Sequence, residues 1–475
     1  MESKNVWNIY NAAQLKESEK FSKEYRTFLD EGKTERECVD LIVNEIEDCG
    51  YKELSTLQGG NKKLKSGDKV YSVQMNKAIV MYHIGSLPIT DGMNILGAHI
   101  DSPRIDIKQN PLYEDGGYAL LDTHYYGGFK KYQWVAIPLA IHGVVVKKDE
   151  TTVELNIGEN EDDPVFFISD LLVHLAQEQM KKTADKVIEG EAMDVIVGNK
   201  PLKITAKEMK NSRSGIDAEK DPVVKGVLEI LKKDYDIEEE DFISAELEVV
   251  PAGHARESGF DRSMILGYGQ DDRVCAFGSY KAMLEMEDVP ERTSCCLLVD
   301  KEEVDSVGAT GMHSHFFENA TAELLELMGQ SGDLALRRTL AHSAMLSSDV
   351  SSAYDPSYAS AFEKKNTAFL GHGMVINKYT GVKGKRSSND ANAEYIACIR
   401  SLFDKEKISF QTAELGRVDL GGGGTIAFIM AQYGMNVIDS GVPVLSMHSP
   451  WECTSKVDIY ETKRGYVAFL KDCRM

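Results

Sequence analysis

The spacing of apolar residues predicts that the chain opens with helices and continues into a sheet. From 14 to 50, apolar side chains recur every three or four residues, which indicates one or two helices. Residues 70–84 alternate apolar and polar positions like a strand. Residues 90–100 then form an apolar run that predicts a buried strand ending at His99.

The second half of the chain alternates predicted helices with predicted strands. The pattern predicts a helix over 272–285, a strand over 293–299, a helix over 320–347 interrupted at GQSGD, a strand over 373–377, helices over 391–404 and 426–433, and strands in NVIDSGVPVLSMH. Such alternation is typical of a sheet covered by helices. We therefore expect an α/β fold in which a mixed sheet is covered by helices.

Between about 107 and 260 the pattern changes to short strand-like runs separated by acidic loops. VAIPLAIHGVVV and TTVELNIG have strand character, while FFISDLLVHLAQEQMKK and VVKGVLEILKKDYDIEEEDF have helical spacing. A chain of 475 residues is too long for one ordinary core. We interpret 108–260 as a β-rich domain inserted into a catalytic domain that consists of 1–107 and 261–475.

Composition and charge narrow the class of protein. The chain is 42% hydrophobic and 27% charged, as in soluble globular proteins. Its net charge of −22 argues against nucleic acid or an anionic membrane as the main partner. The N-terminus lacks the apolar core of a signal peptide, and no run approaches the roughly 20 apolar residues of a membrane span. The eight cysteines show no CxxC spacing, so we interpret them as reduced residues of a cytoplasmic protein.

Several apolar runs stop at an imidazole or a carboxylate. These endings are SCCLLVDKEEVDSVG with Asp300, Glu302 and Glu303, NILGAHIDSPR with His99 and Asp101, YGQDDR with Asp271 and Asp272, VLSMHSPWE with His448, and, after a helical pattern, AMLSSDVSSA with Asp349. An isolated pair of glutamates after a strand is more often a solvated loop. Ligands of open α/β sheets, however, bind at the carboxyl ends of the strands. Five such endings together therefore indicate a metal site.

The chemistry of these side chains fits a pair of metal ions. Two ions bridged by a carboxylate and a water molecule both generate a nucleophile and stabilise an oxyanion. Each ion needs His or carboxylate ligands, and the water needs a base nearby. Adjacent residues of an extended segment point to opposite sides, so Glu302 and Glu303 are expected to have different roles. Asp101 is expected to orient His99.

The motifs GAHIDSPR, GQDDR, DKEEVDSVGATG, SSD and MHSPWE, in this order, resemble those of the aspartyl aminopeptidase family of dinuclear zinc exopeptidases. The resemblance covers essentially the whole chain. It implies a zinc exopeptidase-like fold and an enzyme that hydrolyses the N-terminal residue from peptide substrates, with Glu302 as the general base. It also implies two divalent ions per chain, zinc foremost with cobalt or manganese as alternatives. The implied metal ligands are His99, Asp271, Glu303, Asp349 and His448.

The resemblance further implies self-association through the inserted domain, as dimers that build a dodecamer. On this resemblance, His174, in the predicted helix LLVHLAQ, would correspond to a family histidine that reaches a neighbouring subunit's site and stabilises the tetrahedral intermediate. The alternative is a packing residue beside an apolar stripe. Asp272 and Asp305 stand where eukaryotic members have Asn and Gly, which indicates a bacterial branch. NKYTGVKGKRSSND also differs from the family, so a preference for acidic N-terminal residues is left open.

Three other segments have an ordinary structural explanation. His313 and His315 form an HxH pair, but they fall where the family has only a helix start. The basic residues of GVKGKR would offer cations to a substrate carboxylate, although a solvated loop is the commoner outcome. No GK[ST] follows Gly421–Gly424, so we expect close backbone approach to a substrate and not a phosphate cradle. A non-catalytic, metal-stabilised assembly protein is the alternative function; Glu302 argues against it, because a structural site needs no unligated base.

Overall fold

The computed structural model describes residues 4–59, 63–203 and 220–475. The chain divides into a first unit, Met1–Ser102 with Ala255–Met475, and a second unit, Pro103–His254. The boundaries expected from the sequence lie at 107/108 and 260/261.

Regular structure in the described residues consists of strands and helices numbered here in chain order. The strands are β1 Lys52–Glu53, β2 Lys69–Gln74, β3 Ala78–His83, β4 Met93–His99, β5 Arg104–Asp115, β6 Tyr118–Tyr126, β7 Leu139–Val146, β8 Thr152–Ile157, β9 Val195–Gly198, β10 Ala245–Pro251, β11 Arg256–Ser258, β12 Met264–Gly267, β13 Thr293–Val299, β14 Ala344–Ser348, β15 Ser351–Ser352, β16 Met374–Asn377, β17 Phe410–Thr412, β18 Asn436–Gly441, β19 Pro443–Val444 and β20 Glu452–Ser455. The α-helices are α1 Ala12–Glu31, α2 Glu35–Asp48, α3 Pro222–Tyr235, α4 Gln270–Leu284, α5 Phe316–Leu327, α6 Asp333–Ala341, α7 Ala393–Glu406, α8 Ala427–Ala431 and α9 Lys456–Asp472.

The first unit is built around a mixed sheet of nine strands in the order β1-β2-β3-β13-β4-β14-β18-β16-β17. The central strands β13, β4, β14 and β18 run parallel to one another. Antiparallel pairing occurs on both sides of this group, at β3–β13 and at β16–β18. Parallel strands place their carboxyl ends at one edge of the sheet, so the residues that follow β4, β13 and β14 are brought together.

Side chains on the two faces of this sheet belong to two separate cores. On β13, Cys296 and Leu298 pack in one core, while Cys295 and Leu297 pack in the other. This alternation is the period of two expected of a strand that is buried on both faces. The first core contains apolar residues of α1, α2, α4, α7 and α9, and the second contains those of α5 and α8. The expected α/β fold, with a mixed sheet covered by helices, is confirmed.

The opening helices begin where the sequence supplies caps. The side chain of Asn11 accepts hydrogen bonds from the first turn of α1, and the side-chain oxygen of Gln14 accepts one from the backbone N–H of Asn11. Thr34 and Glu37 make the same reciprocal arrangement at α2. Each pair satisfies N–H groups that a helix start leaves unpaired. The two helices expected between 14 and 50 are therefore present.

The second unit contains a six-stranded sheet in the order β8-β7-β10-β5-β6-β9, with every neighbouring pair antiparallel. The predicted charged helix is present as α3. The predicted helix over 166–182 is wrong: 173–178 form turns, and only Gln179–Lys181 are helical, as a short 3-10 turn. Leu172, Val173 and Leu175 are exposed there, so the apolar residues do not form a stripe that packs on this unit.

Two other predictions in the first unit need correction. Residues 70–84 form the hairpin β2–β3 and not one strand, because Met75 and Asn76 adopt positive φ at a turn. The helix expected to reach 347 ends at Ala341, and Asp349 consequently follows strand β14 and not a helix. All five residues of β14 are buried between β4 and β18. A short apolar run with this burial cannot be assigned from periodicity alone.

Within the described ranges, no helix combines the length and the apolar character that crossing a membrane requires.

Candidate metal centre

The carboxyl ends of three adjacent parallel strands supply most of the candidate ligands. Strand β4 ends with His99 itself. After β13 the chain turns through a short 3-10 segment that carries Glu302 and Glu303, and after β14 comes Asp349. Because β13 and β14 flank β4 in parallel register, these side chains converge at one edge of the sheet.

The remaining two candidates come from outside these strands. Asp271 lies at the start of α4, after Gly269, whose positive φ of 65° turns the chain into the helix. Asp271 itself has non-helical dihedral angles, so the regular helix begins after it. His448 lies in the loop between β19 and β20 and adopts a φ of 63°, a conformation that few non-glycine residues take without a structural reason.

Asp271 lies between the two imidazoles. Its Oδ1 is 3.2 Å from Nε2 of His99, and its Oδ2 is 3.0 Å from Nε2 of His448. Nε2 of His448 is also 3.4 Å from Oε1 of Glu303. Nε2 of His99 lies 3.9 Å from Oε2 of Glu302. A carboxylate that presents a different oxygen to each of two imidazoles has the arrangement of a bridging ligand.

Asp101 connects His99 to the turn that carries the two glutamates. Its Oδ1 lies 3.2 Å from Nδ1 of His99. The backbone N–H groups of Glu302 and Glu303 donate to Oδ1 and Oδ2 of Asp101 at 3.2 and 3.1 Å. Asp101 is buried. It therefore fixes both the ring of His99 and the position of the glutamates, which is what a residue behind the ligands of a metal site does.

Glu452 has a corresponding position on the other side and was missed at the level of sequence. Its Oε2 accepts a hydrogen bond from the backbone of Asp271 at 3.0 Å, and its Oε1 accepts one from the backbone of His448 at 2.7 Å. Glu452 is the last residue of the motif MHSPWE and the first residue of β20. Its place in the motif was the available signal, but the two backbone contacts depend on the fold.

The carboxyl groups of this cluster are buried, and a positive charge beside them would stabilise their ionised form. Burial raises the pKa of Glu302 to about 7, with His99 opposing and Asp101 adding to the shift. Burial also raises the pKa values of Glu303 and Asp349 well above their ordinary range. Burial disfavours ionisation of Asp271 too, but hydrogen bonds with His448 and His99 hold its pKa below the usual value. Buried carboxylates gathered without a cation are costly unless they are paired or bind metal.

The donor atoms fit this requirement. Within the described residues, Oε1 of Glu303 is buried and lacks a hydrogen-bond partner. Three sets of residues could each hold an ion, because each residue of a set offers one donor atom within 4.8 Å of the donor atoms of the other two. These sets are His99, Glu302 and Asp349; His99, Asp271 and Glu303; and Asp271, Asp272 and Asp349. Imidazole and carboxylate are the ligands that Zn²⁺ takes together with thiolate. The residues present therefore fit a bound divalent metal.

The structure brings all five candidate ligands together, along with Asp101, Asp272 and Glu302. The histidines outside the ligand set and the basic segment are not among these groups. His174 lies in the second unit and is exposed. His315 is exposed and pairs with Glu318, while the ring of His313 contacts that of Phe428. Lys385 pairs with Asp390 at 3.0 Å. The HxH segment is thus not part of the metal-binding cluster.

A model of the aminopeptidase I zinc metalloprotease family (M18) matches residues 28–470. The chain belongs to the M18 family. A probable M18 family aminopeptidase 1 of Clostridium acetobutylicum is 55% identical over 471 residues, which cover 99% of this chain and 98% of that protein. A protein of the same description from Thermotoga maritima is 43% identical over 470 residues, with 99% and 98% covered.

Solved structures of M18 aminopeptidases agree with the fold described above. The crystal structure of the M18 aminopeptidase of Thermotoga maritima has a TM-score of 0.91 at 41% identity and covers 99% of each chain. That of aminopeptidase I from Clostridium acetobutylicum has a TM-score of 0.89 at 53% identity, with 99% of this chain and 100% of the other covered. The dodecamer of S. cerevisiae mApe1 shares the fold at 19% identity, with a TM-score of 0.73 and with 94% and 95% covered.

This M18 protein is thus an aminopeptidase of the zinc metalloprotease class. The family resemblance recognised in the motifs is confirmed. The alternative of a non-catalytic assembly protein is not favoured.

Proposed function

We propose that this M18 aminopeptidase releases the N-terminal residue of peptides with two divalent ions, zinc being the expected metal. One ion is assigned to His99, Asp271 and Asp349, and the other to His448, Asp271 and Glu303. The observation that carries this proposal is the position of Asp271, whose two oxygens lie 3.2 and 3.0 Å from the two imidazoles. The 3.4 Å approach of Glu303 to His448 supports placing these two residues on one ion.

The bound ions supply a Lewis acid that polarises the first peptide carbonyl and lowers the pKa of a water molecule. Glu302 is the proposed general base, because it lines the cavity beside the cluster and is not needed as a ligand. Its carboxylate takes a proton from the water as the water oxygen bonds to the carbonyl carbon. The C–N bond then breaks, and Glu302 gives the proton to the leaving amine nitrogen. The products are a free amino acid and a peptide shortened by one residue.

Asp101 is proposed as a positioning residue. Its contacts with Nδ1 of His99 and with the backbone of Glu302 and Glu303 support this role. Holding the imidazole by its second nitrogen keeps Nε2 directed at the ligand position. Holding the turn keeps Glu302 in place as the general base and Glu303 in place as a metal ligand. Asp101 therefore acts through these residues and does not itself touch the substrate.

The proposal is tested with aminoacyl para-nitroanilides and with the same compounds acetylated on nitrogen. Purified protein is stripped with a chelator and then reconstituted with zinc, cobalt or manganese. We expect hydrolysis only of the free-amine compounds and only after metal is restored, at about two ions per chain by elemental analysis. Hydrolysis of the acetylated compounds at a similar rate, or full activity with one ion per chain, would contradict the proposal.

We also propose that the enzyme self-associates through the second unit, as dimers that build a dodecamer. Support comes from the exposed apolar segment of that unit, in which Leu172, Val173 and Leu175 are 56%, 73% and 67% exposed. Contiguous apolar surface of this kind commonly marks a protein interface. His174 lies in the middle of the segment. Its proposed role is to complete the active site of a neighbouring subunit.

A cytoplasmic location is proposed from the cysteines. All eight are free thiols, and five of them are fully buried core residues. Proteins of oxidising compartments more often pair their cysteines.

A further inference from the structure

A cavity of about 200 Å³ opens beside the metal-binding cluster in the first unit. Glu302, Asp349 and His448 line one part of it, and the glycine run with Thr425 and Asp439 lines another. A peptide whose first carbonyl reaches the metal ions carries its N-terminal side chain within a few ångströms of them. The cavity is the space next to the cluster that such a side chain would enter.

The glycine run contains two kinds of glycine. A Cβ at Gly421 would lie 1.6 Å from the carbonyl oxygen of Leu415, and one at Gly422 would lie 1.8 Å from that of Gly381, so both positions need glycine for the fold. A Cβ at Gly423 or Gly424 would meet nothing closer than 3.8 Å, and neither residue has a positive φ. The fold itself would accept alanine at these two positions. Glycine there instead leaves room in the cavity.

Asp439 supplies the polar character of the cavity wall. Its side chain is buried, and its Oδ1 accepts a hydrogen bond of 2.6 Å from Oγ1 of Thr425. In the described part of the chain, its Oδ2 has no hydrogen-bond partner. Burial raises the pKa of this carboxyl group to about 7, and the hydrogen bond from Thr425 opposes the rise. A buried polar atom left without a partner in a binding cavity is a candidate contact for a ligand.

The cavity has no permanently charged basic side chain in its described lining, since none of the residues that line it there is Lys or Arg. The basic segment that the sequence offered for an acidic substrate does not contribute: Lys385 pairs with Asp390 and lies over the ring of Tyr379 at 3.7 Å. A carboxylate side chain that reached Asp439 would thus meet no lysine or arginine side chain to hold it.

Resting on the proposed function, we propose that this cavity is the pocket for the side chain of the N-terminal residue, and that Asp439 makes it select a basic side chain over an acidic one. A lysine or arginine side chain donates to the free oxygen of Asp439 and adds the opposite charge. A glutamate side chain brings a second carboxylate to the same place, where low dielectric strengthens the repulsion. Specificity then comes from an attractive and a repulsive contact at one residue.

The test uses substrates that differ only in the group that reaches Asp439. Lysine and norleucine para-nitroanilides share a straight side chain with and without the ammonium group, and glutamine and glutamate differ in charge. We expect kcat/KM to favour lysine over norleucine, and glutamine over glutamate, by at least about tenfold each. Asp439→Asn should reduce the lysine to norleucine ratio by about tenfold or more. Asp419→Asn removes an exposed carboxylate near the same loop and should leave the ratio unchanged.

A second variant probes the pocket without touching Asp439. Gly424→Ala places a methyl group in the free space described above, so kcat/KM for norleucine should fall relative to alanine by about tenfold. Gly384→Ala, at an exposed position with open surroundings, is the matched control. Glutamate cleaved as well as glutamine, or unchanged ratios in both Asp439→Asn and Gly424→Ala, would overturn the pocket assignment while leaving the aminopeptidase proposal intact. A reconstituted wild-type enzyme inactive on every substrate would overturn both.

Discussion

At the scale of single residues, the candidate centre is organised around Asp271. Its carboxylate lies between two imidazoles, and its backbone N–H is held by Glu452, which also holds the backbone of His448. Asp101 has the equivalent role for His99 and the glutamate turn. Each candidate ligand on these elements is thus fixed by a buried carboxylate that does not need to bind metal itself. This is the support that a metal site requires for constant geometry.

The adjacent residues Glu302 and Glu303 should respond differently to the same substitution. Glu302→Gln keeps the shape of the side chain but cannot accept a proton, so kcat should fall by about 10³-fold while metal content stays at the wild-type level. Glu303→Gln should instead lower metal content, because a neutral amide is a weaker ligand than a carboxylate. Steady-state kinetics and elemental analysis of both variants check this. Wild-type turnover in Glu302→Gln would remove it as the base.

The candidate ligands could be selected from sequence because apolar runs end directly at them, and the resemblance to the family supplied their individual roles. His99, Glu303 and Asp349 each lie at or just after a buried strand, and parallel strands bring such ends together. Glu452 and Asp439 could not be assigned in this way. Their roles depend on contacts with residues 181 and 14 positions away in sequence. No local pattern in the sequence predicts either contact.

At the scale of elements, errors arose where packing overrides local pattern. Ala344–Ser348 reads as the end of a helix, but its position between β4 and β18 makes it a strand. The segment 166–182 has helical spacing, yet Leu172, Val173 and Leu175 are exposed, and the only helical structure in it is the 3-10 turn Gln179–Lys181. The intrinsic helix or strand propensity of a segment contributes less to its structure than whether a neighbouring element buries its apolar residues.

Strand β3 carries a titratable residue that makes stability depend on pH. His83 is buried between β2 and β13, and its Nδ1 has no hydrogen-bond partner among the described residues. Burial, with a contribution from Lys69, lowers its pKa from 6.5 to about 4. Below pH 6.5 the unfolded chain therefore binds a proton that the folded chain does not, and stability falls until about pH 4, where both forms are protonated.

We expect this group to remove about 2 kcal/mol of unfolding free energy between about pH 8 and pH 5. His83→Phe keeps a ring in the same place but cannot titrate, so the loss over this range should be smaller by that amount. Urea unfolding of the metal-free proteins at both pH values measures the difference and excludes metal release as its cause. Equal losses in the two proteins would show that His83 is protonated in the folded state as well.

At the scale of the whole molecule, the chemistry and the proposed assembly surface lie in different units. All five candidate ligands belong to the first unit, whereas His174 and the exposed apolar segment belong to the second. Metal binding should therefore not depend on association, but activity should. Val173→Glu places a charge at a position that is 73% exposed in the single chain and is expected to give folded monomers that keep metal and lose activity.

The measurement is light scattering combined with elemental analysis and kinetics. Leu334→Glu, at a 59% exposed position of the first unit, is the control for adding a surface charge. Mixing Glu302→Gln subunits with His174→Ala subunits should restore about a quarter of wild-type activity, since half the dimers are hybrids with one intact site. A fully active monomer, or no recovery in confirmed hybrids, would show that the site is complete within one chain.

The proposed mechanism requires that Asp271 bridges two metal ions while Glu302 binds neither. Anomalous diffraction at the zinc edge from crystals of the zinc-loaded enzyme measures this arrangement. We predict two peaks per chain, with the two carboxylate oxygens of Asp271 each about 2.0–2.2 Å from a different ion and Glu302 outside the coordination of both. A single peak at full occupancy, or two peaks with Glu302 as a ligand and Asp271 bound to only one ion, would contradict it.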